Sequence, residues 1–285
     1  MRNTPDLLNK KWIPGIVHWS FIALLVGLAW RYLFWDVPLR EWLWSAYYMK
    51  GIMTFVCQCT WEEYLSSPAW DKGIQMSIRI QGVLLTLSAL VLLIPAAPVK
   101  WKRVACIVPL VIICILSFCL FKENFFRLGF LIELAALIAM PFVYIGMVLQ
   151  KKTKEFILPL KIILALTFTG HGLYAVGFYP VPGIFVDMMI AGFGLEEPAA
   201  LSLLKVFGFL DFIVAALLFI PQTARIGAGY MLFWGLLTTL GRFTQITFTG
   251  LFWDYLHQWG FETLVRNMHF TLPWVLLILL KKKWK

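Results

Sequence analysis

The sequence predicts an all-α polytopic membrane protein with eight transmembrane helices arranged as two parallel four-helix repeats. Three observations carry that prediction. First, 61% of the 285 residues are hydrophobic and only 14% are charged, whereas a water-soluble domain carries about a quarter charged residues. Second, Lys and Arg gather in short blocks between apolar runs, which is the positive-inside pattern of cytoplasmic turns. The net charge of +10 is therefore spent on turns, and it does not form a nucleic-acid-binding face.

Third, one stretch occurs twice. Ile78 to Pro95, IRIQGVLLTLSALVLLIP, aligns without a gap on Leu204 to Pro221, LKVFGFLDFIVAALLFIP, at an offset of 126 residues. The offset pairs Arg79 with Lys205, Gly82 with Gly208 and Pro95 with Pro221. A basic residue three positions before a glycine in an apolar run is costly in a membrane, so its recurrence carries weight.

The N-terminal segment with Arg2, Lys10 and Lys11 reads as cytoplasmic. The apolar run after Lys11 reads as an uncleaved first span, about Ile13 to Phe34, close to the 20 or so residues a bilayer requires. A Trp-rich segment follows in which Asp36, Glu41, Glu62, Glu63 and Asp71 outnumber Arg40, Lys50 and Lys72. Tryptophan favours the headgroup level, where its apolar body and polar N–H are both satisfied, so this segment is expected outside, at the interface.

Spans two to four are expected at about Ile74 to Pro95, Val104 to Phe121 and Leu128 to Leu149. Lys100, Lys102 and Arg103 mark the inner turn after the second, and Lys151, Lys152 and Lys154 that after the fourth. The plan then repeats. Span five covers about Ile157 to Phe178, span six the second copy of the repeated stretch, span seven about Ile226 to Thr247 and span eight about Thr263 to Leu280. The loop after span five carries Asp187, Glu196 and Glu197 without Lys or Arg, and the chain closes on Lys281, Lys282, Lys283 and Lys285. Both termini are then inside. Pro141 to Lys152 also resembles the stretch from Pro273, so the repeats divide as 1–150 and 151–285, a parallel duplication about an axis along the membrane normal.

Depth follows from 1.5 Å per residue. Arg31, Arg79, Lys205 and Arg242 fall roughly 8 to 10 Å outward of the midplane, with Arg266 similar and Glu133 a little deeper. His171 and His269 lie roughly 4 to 5 Å outward, and Asp211 is close to the midplane. Charges at such depth must face one another or a wet cavity. Five cations against Glu133 and Asp211 predict a positive pocket in the outer half, suited to an anionic ligand such as a small oxyanion or a lipid phosphate.

Bland alternatives stand beside each assignment. Arg31, Arg242 and Arg266 are near enough to span ends to snorkel, and Arg79 and Lys205 could be internal struts bonded to Glu133 and Asp211. His171, between two glycines in TGHGLY, could be a packed histidine bonded to a carbonyl. Asp211 is the least easily dismissed, since a carboxylate at the midplane must pair or take up a proton. Four scattered histidines do not suggest a b-type haem, and no zinc or thioredoxin CxxC, P-loop or HExxH pattern is present. Cys57 and Cys59 in the outer segment either stay free or bond Cys119.

The second half resembles the DoxX-like superfamily of four-helix membrane proteins, on GHGLYAVG, then PGIFVDMMIAGFGL, then GFLDFIVAALLFIPQTARIGAG, then WGLLTTLGR. The first half is a looser copy, with AWRYLFW in place of GHGLYAV and a longer loop. The resemblance implies an inner-membrane protein. It maps the recurrent loop and second-helix polar features onto Asp187 and Asp211, and it suggests a quinone as a candidate cofactor for membrane redox chemistry.

The combined expectation is a pocket that binds an anionic or quinone-like ligand. Arg79, Lys205, Arg31, Arg242 and Asp187 would hold the ligand, and His171, Asp211 and Glu133 would handle protons or orient it. The competing expectations are a non-catalytic partner docking a membrane or periplasmic protein through Trp42, Trp44 and Trp61, and a small-anion or lipid transporter.

Overall fold

The computed structural model describes residues 4–243 and 251–280, with side chains described from residue 12 onward. All regular structure among the described residues is helical. Six helical segments are long and apolar enough to cross a membrane: Trp12–Phe34, Pro68–Leu93, Val99–Glu123, Leu128–Leu149, Thr153–Ala175 and Glu197–Leu217. The protein is therefore a multi-pass membrane protein. The expected end of span seven at Thr247 and the basic run from Lys281 to Lys285 lie outside the described residues.

The chain gathers into two compact units, residues 28–128 and residues 1–27 with 129–285, so the boundary suggested at 150/151 falls inside the larger one. The smaller unit contains the end of α1 (Thr4–Phe34), the short helices α2 (Arg40–Leu43), α3 (Ala46–Phe55) and α4 (Trp61–Ser66), and the long helices α5 (Pro68–Leu93) and α6 (Val99–Glu123). Gly82 of α5 lies against α1, where an added Cβ would stand 2.8 Å from Leu33 Cγ and 3.0 Å from Tyr32 Cβ.

The segment between α1 and α5 folds on its own small core of Met49, Met53 and Tyr64, with Trp61 packed against it. Arg40 bridges Asp36 at 2.9 Å and Asp71 at 2.7 Å, and Lys122 pairs with Glu41 at 3.0 Å. Helix α4 starts in a reciprocal cap. The Glu63 amide donates to Thr60 Oγ1 at 3.2 Å, and the Thr60 amide donates to Glu63 Oε2 at 2.8 Å.

That cap predicts a pH effect. The Thr60 amide first, and then its hydroxyl, hold the Glu63 carboxyl below its usual range. The folded value lies below the unfolded one, so the contribution is present above the ordinary carboxylate range and is lost as pH falls through the lowered folded value. Amide protection, the exchange rate relative to the intrinsic rate at each pH, is expected to fall across residues 61–66 over that acidic window, and Thr60→Ala should give low protection at every pH. A pH-independent protection in the unaltered protein would refute the cap's role.

The larger unit contains α7 (Leu128–Glu133), α8 (Ala135–Tyr144) with a π-helical turn at Ile145–Leu149, and a 3₁₀ turn at Thr153–Phe156. It continues with α9 (Ile157–Ala175), α10 (Gly183–Phe193), α11 (Glu197–Leu217), α12 (Ala224–Leu240) and a 3₁₀ turn at Gly241–Phe243. After the undescribed residues come α13 (Phe252–Arg266) and α14 (Met268–Leu279), with the first part of α1 packed among these elements. Helix α10 occupies the loop after span five and stops at Gly194, whose φ of +65° is a left-handed cap suited to glycine.

Two expected spans are interrupted inside the apolar layer. Span four breaks at Leu134, and the amide of Ala136 donates to Thr167 Oγ1 of α9 at 3.1 Å. Span eight breaks at Asn267, whose Nδ2 donates to Leu264 O at 2.6 Å and to Ser20 O of α1 at 3.0 Å. The side chain thus takes a carbonyl that the next turn would otherwise use. Interruption of this kind is tolerated at membrane depth only where protein groups restore the freed hydrogen bonds.

Asn267 Oδ1 also accepts from Ser20 Oγ, and Ser20 Oγ lies 2.7 Å from Thr271 Oγ1. Asn267→Leu removes this buried link, so Ser20 Oγ loses its Asn267 Oδ1 acceptor and Ser20 O its Nδ2 donor, while Thr271 Oγ1 keeps the Asn267 carbonyl. The expected loss is about 2 kcal/mol, the usual cost of unpaired buried polar groups, read as a lower thermal midpoint in detergent. Asn267→Asp keeps the acceptor but not the Nδ2 donor, so it should also fall. An unchanged midpoint in both variants would show that the cluster contributes nothing.

Candidate functional site

Close backbone crossings build the site. On α9 the sequence Gly170-His171-Gly172 serves two neighbours. A Cβ at Gly170 would stand 2.6 Å from the Glu133 amide nitrogen of α7, and one at Gly172 would stand 2.9 Å from Gly208 O of α11. On α12 a Cβ at Gly235 would stand 2.1 Å from His269 O of α14. Missing side chains at these points let α7, α9, α11, α12 and α14 converge, and the polar residues beside the glycines are carried inward together.

They line a cavity within the larger unit. His171, Asp211, Arg266 and His269 meet there with a mainly apolar wall that includes Phe185 and Trp234. About 40 Å³ is open to the centre of a water-sized body, roughly three times what one ordered water needs. Trp234 is itself stacked on Phe207, with ring centroids 4.0 Å apart and planes at 24°.

Two ion pairs surround the cavity. His171 Nδ1 lies 3.2 Å from Glu133 Oε1, and Arg242 Nη1 lies 3.2 Å from Glu262 Oε2. Tyr255 of α13 donates to Arg242 O at 2.6 Å and holds that turn in place. His269 Nδ1 donates to Arg266 O at 2.9 Å, a carbonyl released by the break at Asn267. Its other ring nitrogen is then an acceptor, since the partner of Nδ1 fixes the tautomer of a neutral imidazole. The two imidazole rings lie 5.1 Å apart.

Several buried polar atoms have no hydrogen-bond partner among the described residues. They include Asp211 Oδ1, Arg266 Nε and the Nε2 atoms of His171 and His269. Asp211 is only 3% exposed. Buried polar atoms are nearly always partnered, so four such atoms around one cavity make it the candidate site. No group of three or more metal-binding side chains occurs among the described residues.

The structure brings together only part of the set expected from sequence. His171 and Asp211 line the cavity, Glu133 pairs with His171, and Arg242 stands near enough to Arg266 and Glu133 to interact with them electrostatically. Lys205 does not. It is exposed on α11, whose inward face is Leu204, Phe207 and Asp211. Asp187 is likewise exposed on α10, while Met188 and Met189 beside it line the cavity. Arg31 and Arg79 belong to the smaller unit, where both are half-buried, and neither lines the cavity.

The expected positive surplus is therefore corrected. Arg242 and Arg266 stand among Glu133, Glu262 and Asp211, so the acids are not outnumbered. All five cysteines are free, with Cys106 and Cys119 buried. Of the three tryptophans offered for docking, Trp42 packs on Phe118 and Trp61 on Tyr64, which leaves Trp44 exposed.

Arg266 and His269 were missing from the site residues expected from sequence, although their depth was evident. The signal available was RNMH, two ionisable groups three residues apart and hence on one helix face in an otherwise apolar span. Glu262 falls between the expected spans seven and eight, so depth in the membrane does not single it out. Comparison with protein-family models, curated proteins and solved structures gives no match.

Proposed function

We propose that this chain is an eight-span inner-membrane protein, a tandem DoxX-like duplication with both termini cytoplasmic. Its cavity binds a small anionic or quinone-like ligand. The single observation that carries the ligand reading is Arg266. This half-buried side chain lines a mainly apolar cavity with its Nε enclosed and unpartnered, and no carboxylate lies within 4 Å of it among the described residues. An acceptor oxygen on a ligand would satisfy it. Glu133, His171 and Asp211 then act as the groups that hold or move a proton beside that oxygen, with His269 as a further acceptor.

The duplication is supported by packing at the matched glycines. Gly82 lies against Tyr32 and Leu33 of the span before it, and Gly208 against Gly172 and Val176 of the span before it. At the same offset Leu85 stands where Asp211 stands, and Leu85 is fully buried. On this reading the first copy keeps the architecture and the second keeps the chemistry. The interruptions beside Glu133 and Arg266 support a binding role too, since ligand sites in duplicated membrane bundles are commonly formed by discontinuous helices.

The test is mass spectrometry of small molecules extracted from the gently purified protein, compared with Arg266→Gln and with Lys205→Gln. A species retained by the unaltered protein and by Lys205→Gln, but lost from Arg266→Gln, is the expected result. Identical bulk-lipid profiles in all three would overturn the binding reading. The interaction-partner reading, favoured by the exposed Tyr47, Phe55 and Val56 around α3, would then stand in its place.

A further inference from the structure

We infer that the ligand of this cavity is two-ended: a small molecule that presents an acceptor oxygen to Arg266 and a hydroxyl or N–H donor to Asp211. The inference rests on the binding reading above and names the chemistry that reading leaves open.

Pairing around the cavity carries it. Glu133 is engaged by His171 and Glu262 by Arg242. Arg266 and Asp211 both line the cavity, and neither forms an ion pair with the other or with any described residue within 4 Å. Asp211 Oδ1 and Arg266 Nε are both buried without a partner. A simple oxyanion would satisfy Arg266 and leave Asp211 Oδ1 without a donor, while a simple cation would leave Arg266 without an acceptor. A molecule with one acceptor and one donor satisfies both at once.

The remaining groups agree with this division. His269 presents an acceptor nitrogen, because its Nδ1–H is committed to Arg266 O. His171 is oriented by Glu133. Between the polar groups the wall is aromatic and thioether, with Phe168, Phe185, Met188 and Trp234, which suits a flat ring body. An acceptor-only ligand is admitted only if Asp211 enters as the protonated acid and itself donates. That alternative predicts no preference for a ligand hydroxyl.

Calorimetric titration of the full-length protein in detergent micelles separates these cases, with 4-hydroxybenzoate, benzoate and phenol as probes. The two-ended site should bind 4-hydroxybenzoate at least tenfold more tightly than benzoate or phenol, since a site built to accept from a hydroxyl rejects the analogue lacking it. Asp211→Leu should reduce 4-hydroxybenzoate to the affinity of benzoate. Arg266→Gln should weaken 4-hydroxybenzoate and benzoate by similar factors and leave phenol unchanged.

Equal affinity of the unaltered protein for benzoate and 4-hydroxybenzoate, with dependence on Arg266, would overturn the two-ended ligand and keep the anion-binding reading. Absence of any Arg266-dependent binding among the three probes would overturn both. The comparison within the unaltered protein decides the matter even if Asp211→Leu does not fold.

Discussion

Gly235→Ala should be among the most damaging single substitutions in this protein, although it adds one methyl group. The new Cβ would stand 2.1 Å from His269 O and 2.7 Å from His269 C. Both are backbone atoms of α14, so no side-chain rotation can relieve the contact, and α12 and α14 must move apart. Overpacking of this kind costs about 1 to 3 kcal/mol and sometimes more. Here it should also displace His269 and the turn that carries Arg266. The expected result is a fall in thermal midpoint of several degrees together with loss of ligand retention. Gly229 of the same helix is the control, because nothing lies within 4 Å of an added Cβ there. Gly229→Ala should be neutral or slightly stabilising. If the two variants melt alike, the α12–α14 crossing is not as close as described.

Glu133→Leu should be comparably severe, for a different reason. Glu133 and His171 have side chains only 16% and 11% exposed and lie 3.2 Å apart. Removing one member of a buried pair strands the other in a low-dielectric setting, at a cost of about 3 to 5 kcal/mol when burial is complete and less at this residual exposure. Glu133→Gln keeps an acceptor oxygen for His171 Nδ1–H and should lose much less. The measurement is chemical or thermal unfolding of both variants in one detergent. If Glu133→Leu proves no worse than Glu133→Gln, the acceptor for His171 is dispensable, and the pair has no part in ordering the site.

The contrast between Lys205 and Asp211 shows where reading the chain succeeds and where it stops. Both lie on α11 at membrane depth, and sequence identifies both as anomalous. Six residues apart, they differ by about 120° around the helix, so a site that uses one face admits Asp211 and leaves Lys205 exposed. Depth is a one-dimensional quantity and carries no information about facing. Asp187, offered by the resemblance and not by depth, is exposed on α10 while its neighbours Met188 and Met189 line the cavity. The paired Arg79 and Lys205 were persuasive because they recur, yet recurrence reports common ancestry of a segment as readily as shared use of it.

The sequence by itself determined that the chain crosses the membrane repeatedly as helices, because burying backbone polar groups in lipid admits few other solutions for long apolar runs. It also identified Glu133, His171, Asp211 and Arg242 as groups needing partners, because uncompensated charge at that depth is expensive. Only the tertiary structure decided which partners they have. Glycine crossings at Gly170, Gly172, Gly208 and Gly235 set the helix rotations. The break at Asn267 turned Arg266 and His269 into one wall of the cavity. Those outcomes depend on contacts between residues up to 251 positions apart, as between Ser20 and Thr271, and no local pattern of hydrophobicity or charge encodes which helix faces will meet.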